Sequence, residues 1–327
     1  MTSFTLSRRL LTLSAGAVAA GLTLAPTFAT AADEFPSKPI EIVIHSSYGG
    51  GTDVTARMVS LRARKELDTD ISVVSKRGGS GAKAQEYVLS KPADGYTLLA
   101  LTQTHLYTIA QGKSKMGIDD MVGVVRAMDD PTFITVGKNS KYKTIDDLVA
   151  ASKSAPLNWG VAQIGGTEHI ALARFAKAAG IKFKAVPFGS GGEMIQALLS
   201  GDIEATLPNV SEAVTQIEDG SVNALVVLAG KRLAGYPDIP TSVEKGWDVK
   251  ASTTRGYAVR AGTPQAVIDK LSEKLVKSMK HEMFATYLKG AGLTVDDSVA
   301  GTVEWDKQLK AEYADSAAAL KELGIIK

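Results

Sequence analysis

The sequence predicts an α/β protein whose two lobes face a cleft. Three observations carry that reading. A strand, a glycine-rich turn and a helix follow one another over residues 40–67. The same three-part unit returns over 157–180, in the second half of the chain. Between and beyond the two units, short β-branched runs alternate with stretches of helical spacing, the pattern of an α/β architecture.

The first 32 residues contain no acid, carry Arg8 and Arg9 before a weakly apolar run, and end in Ala29-Thr30-Ala31. That is the plan of an export signal, 1–32, cleaved near Ala31 or Ala32. Ser7-Arg8-Arg9-Leu10-Leu11 also resembles a twin-arginine signal, so both export routes stay open. With no cysteine anywhere, disulfides, thiolate chemistry, thiolate-ligated metals and a lipid-modified N-terminal cysteine are excluded. The exported protein is expected free in a periplasm. Removing Arg8 and Arg9 from 37 bases leaves 35 against 35 acids, a balance that does not point to nucleic acid.

Ile40 to Ile44 is a run of β-formers. It turns through Ser46, Ser47, Tyr48 and Gly49 to Gly51 into a helix expected to be capped by Thr52 or Asp53. Free N–H groups at such a helix start favour an anion, and no Lys or Arg stands in the turn. The stretch lacks both the G-x-G-x-x-G and the P-loop spacing. Strands are expected at 71–75 and 96–101, the latter ending in the polar triplet Thr102, Gln103 and Thr104. Two short strands, 122–126 and 133–136, flank Asp129-Asp130-Pro131. Thr144 caps the next helix.

In the second unit, Leu157 to Val161 leads through Gln163, Ile164, Gly165, Gly166 and Thr167 into a helix closed by Gly180. A further turn, Phe188-Gly189-Ser190-Gly191-Gly192, opens another helix, and Gly201 to Leu207 reads as turn and strand. Pro208 and Asn209 start the next helix, 224–228 is a strand, and helices run from Thr263-Pro264 to about 323.

Six ordered motifs carry a family resemblance: Pro36-Ser37-Lys38-Pro39-Ile40, Gly49 to Arg57, Lys91-Pro92-Ala93-Asp94-Gly95-Tyr96-Thr97-Leu98-Leu99, Gly165-Gly166-Thr167-Glu168-His169, Gly201-Asp202-Ile203-Glu204, and Lys231-Arg232 through Tyr236-Pro237-Asp238-Ile239-Pro240-Thr241. From Pro36 almost to its end, the chain resembles the solute receptors of tripartite tricarboxylate transporters, the Bug receptor family. The resemblance implies a type II periplasmic-binding-protein fold with a hinge and a ligand cleft. Lobe I would comprise 33–130 and 236–327, and lobe II 131–235. It also implies a carboxylate held between the two glycine turns, large and small membrane subunits as partners, no cofactor and no catalysis; the four histidines, 45, 105, 169 and 281, show no metal-ligand spacing. The protein is expected to be a monomer.

The expected ligand-binding residues are Ser46, Ser47, Tyr48, Gly50, Gly51, Thr52, Thr102, Gln103, Gln163, Ile164, Gly166, Thr167, His169, Phe188, Ser190, Asn209 and Arg255. Tyr48 and Phe188 either stack on ligand or wall the cleft. His169 serves as a ligand-side or capping donor, and His45 reads as a packed histidine. Arg255 either pairs with a distal carboxylate or forms a hinge salt bridge. Glu168 suits its helix start but would repel an anion if it faced the cleft. Two other functions share these features: a carboxylate sensor feeding a kinase, and a secreted α/β enzyme. The enzyme lacks any nucleophile–base pair at recognisable spacing.

Overall fold

A computed structural model describes residues 35–327; the export signal and its cleavage point lie outside the described residues. The strands are β1 (Ile40–Ile44), β2 (Ile71–Ser75), β3 (Thr97–Leu101), β4 (Met121–Pro131), β5 (Phe133–Gly137), β6 (Leu157–Val161), β7 (Phe183–Pro187), β8 (Ala205–Thr206), β9 (Val222–Val227) and β10 (Ser252–Arg260). They form two five-stranded sheets, ordered β2-β1-β3-β10-β4 and β7-β6-β8-β5-β9. In the first, β1 pairs parallel with β2 and β3, and β10 runs antiparallel between β3 and β4. The second repeats the plan, with β6 parallel to β7 and β8, and β5 antiparallel between β8 and β9.

Helices α1 (Gly51–Leu67), α2 (Ala82–Leu89) and α3 (Gln103–Ala110) follow the parallel strands of the first sheet. Helices α4 (Ile145–Ser154), α5 (Thr167–Ala179), α6 (Gly191–Ser200) and α7 (Val210–Glu218) belong to the second, and α8 (Gln265–Met279), α9 (Glu282–Gly290), α10 (Val295–Ser298) and α11 (Thr302–Glu322) close the chain. None of the described helices is long and apolar enough to cross a membrane.

Strand β1 is apolar along almost its whole length because both of its faces are covered. Ile42 and Ile44 pack with Val59 and Ala63 of α1 on one side. Val43 packs with Leu99, Trp305 and Leu309 on the other. Trp305 lies so close to β10 that a Cβ on Gly256 would sit 2.5 Å from its ring, so only glycine fits there. In the second sheet, Trp159 and Val161 pack with Leu172 and Phe175, and Trp247 and Val249 complete that core.

Two passages of chain cross between the sheets, and backbone hydrogen bonds weave them together. Thr132 N–H donates to Ala251 O (3.2 Å), Leu228 N–H to Thr132 O (2.9 Å) and Ala251 N–H to Leu228 O (2.9 Å).

Some local expectations change. Gly50, not Thr52 or Asp53, caps α1, and Asp53 reaches back to accept from Gly49 N–H at 2.8 Å. The stretch expected as a strand ending before Asp129 is one 11-residue strand, β4, that continues through Pro131. Antiparallel pairing with β10 draws it out, from Met121 opposite Arg260 to Pro131 opposite Ser252. Only Ala205 and Thr206 of the turn-and-strand over 201–207 are paired as a strand.

Candidate functional site

The parallel strands of both sheets end toward one another, and the turns that follow them meet along a seam. Ser47 N–H donates to Gly189 O at 3.0 Å, one backbone reaching the other. Gly51 N–H donates to Glu212 Oε1 at 2.8 Å. Thr104 and Thr167 join their hydroxyls at 3.0 Å, and the Ser80 hydroxyl donates to Ile164 O at 2.7 Å. Gly50 faces Ser190 so closely that a Cβ on it would lie 2.6 Å from the serine Cβ.

Within the seam lies a cavity of ≈ 30 Å³, bordered by residues of both lobes. Of the expected site residues, Ser46, Gly51, Thr52, Thr102, Gln163, Thr167, Ser190, Asn209 and Arg255 line it. So do His45, Thr104, Glu168, Gly191, Glu212 and Thr253, which were not in the expected set. Such a volume holds one or two waters. Several lining side chains are buried yet unpartnered. His45 Nδ1, Ser46 Oγ, Thr102 Oγ1, Thr253 Oγ1 and Arg255 Nε make no hydrogen bond. Buried polar atoms are normally paired, so these are the groups of the site with unspent capacity.

Arg255 is fixed from three sides. It is ion-paired with Asp130, which is fully buried, and donates through Nη2 to Asn209 Oδ1 at 3.0 Å. Glu212 Oε1 lies 3.8 Å from the same nitrogen. Burial works against the guanidinium charge, but Asp130 and Glu212 outweigh it and hold its pKa above the ordinary arginine value. Burial, with help from His105 and Arg255, drives the His45 pKa well down, so its imidazole is neutral. The Glu168 carboxyl is pushed up to about 7 by desolvation and by the neighbouring Glu212 charge.

The expected free backbone donors are largely taken by the protein's own side chains. Gly49 N–H is held by Asp53, Gly51 N–H by Glu212, Gly189 N–H by Glu193 and Gly165 N–H by His169. The first three acceptors are carboxylates, so the helix starts already have their anions. The Ser47 hydroxyl beside Glu193 lowers that carboxyl from its ordinary value. An anion held chiefly by bare turn N–H groups therefore does not match this geometry.

Six expected residues stand elsewhere. His169 is turned back on its own loop, accepting from Gly165 N–H at 2.9 Å through Nδ1 and packing on Phe183. Tyr48 is 58% exposed, with Arg57 over its ring, because the turn projects it outward rather than into the seam. Gln103 donates to Thr254 Oγ1 at 2.6 Å and faces a separate ≈ 430 Å³ cavity near the crossings. Gly166 does not border the inner cavity; its backbone packs against Gln163 and Thr104. Ile164 and Phe188 border an outer vestibule of ≈ 400 Å³, shared with His45, Gln163, Ser80 and Arg77.

The residues missed by sequence reasoning left uneven signals. Asn209 and Glu212 have the three-residue spacing of a capping box, and Glu212 Oε2 does accept from Asn209 N–H at 3.1 Å. Nothing in the spacing reveals that its other oxygen reaches Gly51, 161 positions away. His45 sits at a strand end, where ligand-facing groups gather. Thr253 and Arg77 carried no local signal.

Comparison with known proteins places the chain among solute receptors. The sequence pattern of the family described as "Tripartite tricarboxylate transporter family receptor" matches residues 55–324. A protein of Agrobacterium vitis, "UPF0065 protein in the TAR-I ttuE-ttuC' intergenic region", is 29% identical over 311 residues, covering 92% of this chain and 89% of the relative. A solved TctC solute binding protein from Polaromonas is 27% identical with a TM-score of 0.65, covering 88% of this chain and 99% of that one. MatC from Rhodopseudomonas palustris, solved with bound malate, is 23% identical with a TM-score of 0.82, over 88% and 100% of the two chains. The type II periplasmic-binding fold expected from the sequence is the fold these neighbours share.

Proposed function

This chain belongs to the tripartite tricarboxylate transporter receptor family, and from that premise we propose that it captures a small carboxylate-bearing solute between its lobes and passes it to the large and small membrane subunits of a tripartite transporter. Family members and structural neighbours are binding proteins rather than enzymes. The observation that carries the proposal is the convergence of strand-end turns from both sheets around buried, unpartnered groups. The hydroxyls of Ser46, Thr102 and Thr253 and the neutral imidazole of His45 supply hydrogen-bonding capacity that solvent does not reach. The malate bound by the MatC relative supports a carboxylate as ligand.

A cavity of ≈ 30 Å³ is far below the ~300 Å³ of an ordinary ligand pocket. Ligand therefore enters by parting the seam, and the crossings near Thr132, Leu228 and Ala251 serve as the hinge. We place the first lobe boundary at 130/131, as the sequence suggested. The second goes near Ala251 rather than at 235/236, because Trp247 and Val249 pack into the second core. The working chain is a periplasmic monomer from which the 1–32 signal has been removed.

A thermal-shift screen against small carboxylic acids tests this reading. Ligand at 100 times its dissociation constant adds about 2.7 kcal/mol of stability. The methyl ester of a binding acid is expected to give no shift, and an ester as effective as its acid rules out the carboxylate reading. Gly50→Val, whose side chain would strike Ser190 across the seam, is expected to abolish the shift while the variant keeps wild-type circular dichroism and a cooperative, somewhat lower melting transition.

A further inference from the structure

Two titratable groups face the inner cavity from opposite walls. His45 follows β1 on the first lobe, and Glu168 stands half-buried in the first turn of α5 on the second. Among the described residues neither joins an ion pair. Each instead has a neighbour of its own lobe that opposes its charge. Arg255 approaches His45, whose ring meets that of His105 edge-on at 4.3 Å, and Glu212 approaches Glu168. His45 is 5% exposed and its Nδ1 has no partner. An imidazolium and a carboxylate placed there would both need water, and the closed seam gives them neither bulk solvent nor each other. The surrounding titratable groups are already engaged. Near His45, His105 Nδ1 accepts from Thr102 N–H at 3.1 Å, Arg255 is paired with Asp130, and Arg77 lies across the vestibule beside Glu193. Near Glu168, Glu212 accepts from Asn209 N–H, His169 from Gly165 N–H, and the Tyr107 hydroxyl, pushed up to about 12 by burial, is neutral.

We infer that closing the lobes exchanges a proton between their walls: His45 releases one to solvent as an N–H bond breaks, Glu168 takes one from solvent as an O–H bond forms, and a separated charge pair becomes a neutral pair. This rests on the reading that the lobes part and close, and it holds whichever solute they enclose. Parting the seam wets His45, which borders the outer vestibule as well as the inner cavity, and uncovers Glu168 at the same moment. In the closed form burial, with His105 and Arg255, holds the His45 pKa well below 6.5. Burial and Glu212 outweigh Arg255 and nearby N–H groups and push the Glu168 carboxyl up from 4.5 to about 7. Between the ordinary values, 4.5 for the carboxyl and 6.5 for the imidazole, the two changes have opposite signs. Acid opposes closure through His45, which must lose a proton, and favours it through Glu168, which must gain one. Either group alone would change the closing equilibrium by up to about tenfold per pH unit; together they cancel, so the grip of the closed form is buffered against acid.

The test compares a locked and a wedged form of the mature protein, with no solute added. The chain has no cysteine, so Thr104→Cys with Thr167→Cys, placed where two hydroxyls stand 3.0 Å apart, gives a single cross-seam disulfide on oxidation. Ser47→Cys with Gly189→Cys is a second lock, since a Cβ on Gly189 would meet Ser47 Oγ. Gly50→Val, which strikes Ser190, is the wedge. Small-angle scattering reports the two shapes, and NMR titration follows the His45 ring proton and the Glu168 carboxyl carbon, identified by their loss in His45→Gln and Glu168→Gln. In the wedged protein His45 is expected to titrate near 6.5, and in the locked protein to stay neutral down to about pH 5. Glu168 is expected to titrate near 7 when locked and at least one pH unit lower when wedged. A His45 that behaves alike in both overturns the inference. A Glu168 that behaves alike in both overturns the exchange and leaves only proton release. An equal radius of gyration in locked and wedged proteins removes the closing motion itself, and this inference with it.

Discussion

The two strand–turn–helix units look alike in sequence but are wired differently. At the first, the Gly51 N–H is bonded by a carboxylate of the opposite lobe, Glu212, which also approaches Arg255. At the second, the Gly165 N–H is bonded by His169 of its own loop, and contact across the seam comes from neutral groups, the paired Thr167 and Thr104 hydroxyls and the Ser80 hydroxyl on Ile164 O. The first turn is thus a cross-lobe anchor built on charge, and the second a loop that ties its own N–H to a histidine and meets the other lobe through neutral groups. A glycine turn before a helix fixes where donors point; residues far off in the chain decide what they bind.

The largest break in this contrast is at the charge beneath the first turn. Arg255→Met leaves Asp130 buried without its cation. It is expected to cost about 3–5 kcal/mol in urea unfolding. A loss below 1 kcal/mol would mean that the guanidinium does not hold the anchor.

Glu168, in the first turn of α5, gives the second unit a pH signature. Its carboxyl titrates at about 7 in the fold against 4.5 ordinarily, so the folded state keeps a proton that the unfolded chain has lost between those values. The contribution is full below the lower value and is lost as pH rises through the upper one. Melting curves are expected to show wild type losing on the order of 2–3 kcal/mol relative to Glu168→Gln between about pH 4 and pH 8. Parallel curves would remove the raised pKa.

Glu212→Gln sharpens the comparison by keeping shape and removing charge. A loss of about 1.5–3 kcal/mol is expected, with a larger radius of gyration in small-angle scattering as the first turn releases the opposite lobe. His169→Ala is the matched change at the second turn. It is expected to cost about 1 kcal/mol in thermal unfolding with no change in radius of gyration, because its bond stays within one loop. Equal expansion of both variants would erase the distinction between the turns.

Much of the fold was legible because its signals are local. The apolar runs of β1 and β6, the Thr144 side chain bonding Asp147 N–H, and Gly180 in the left-handed region closing α5 each need only a few neighbours in sequence. The full length of β4 was hidden because acids and a proline break its pattern, and only pairing with β10 keeps them extended. The site divides the same way. Turn residues such as Ser46, Thr52 and Gln163 follow from strand ends, and they do reach the cavity. The outward turn of Tyr48 and the inward turn of His169 depend on the exact path of each turn, and the reach of Glu212 on the meeting of the lobes, none of which the residue types record.

Taken as the proposed hinge, the woven crossings would make the approach of the two walls a nearly one-dimensional event. With Thr132, Leu228 and Ala251 bonded into a single ribbon, neither passage can slide or twist without breaking backbone hydrogen bonds of the other. Bending the ribbon is the motion that leaves those bonds intact, so the proposed opening would follow that one coordinate. A solute caught on one wall meets the other in the same register each time, Ser47 opposite Gly189 and Thr104 opposite Thr167. Little orientational freedom remains to be lost at that moment, so a small ligand with few contacts can still complete the capture.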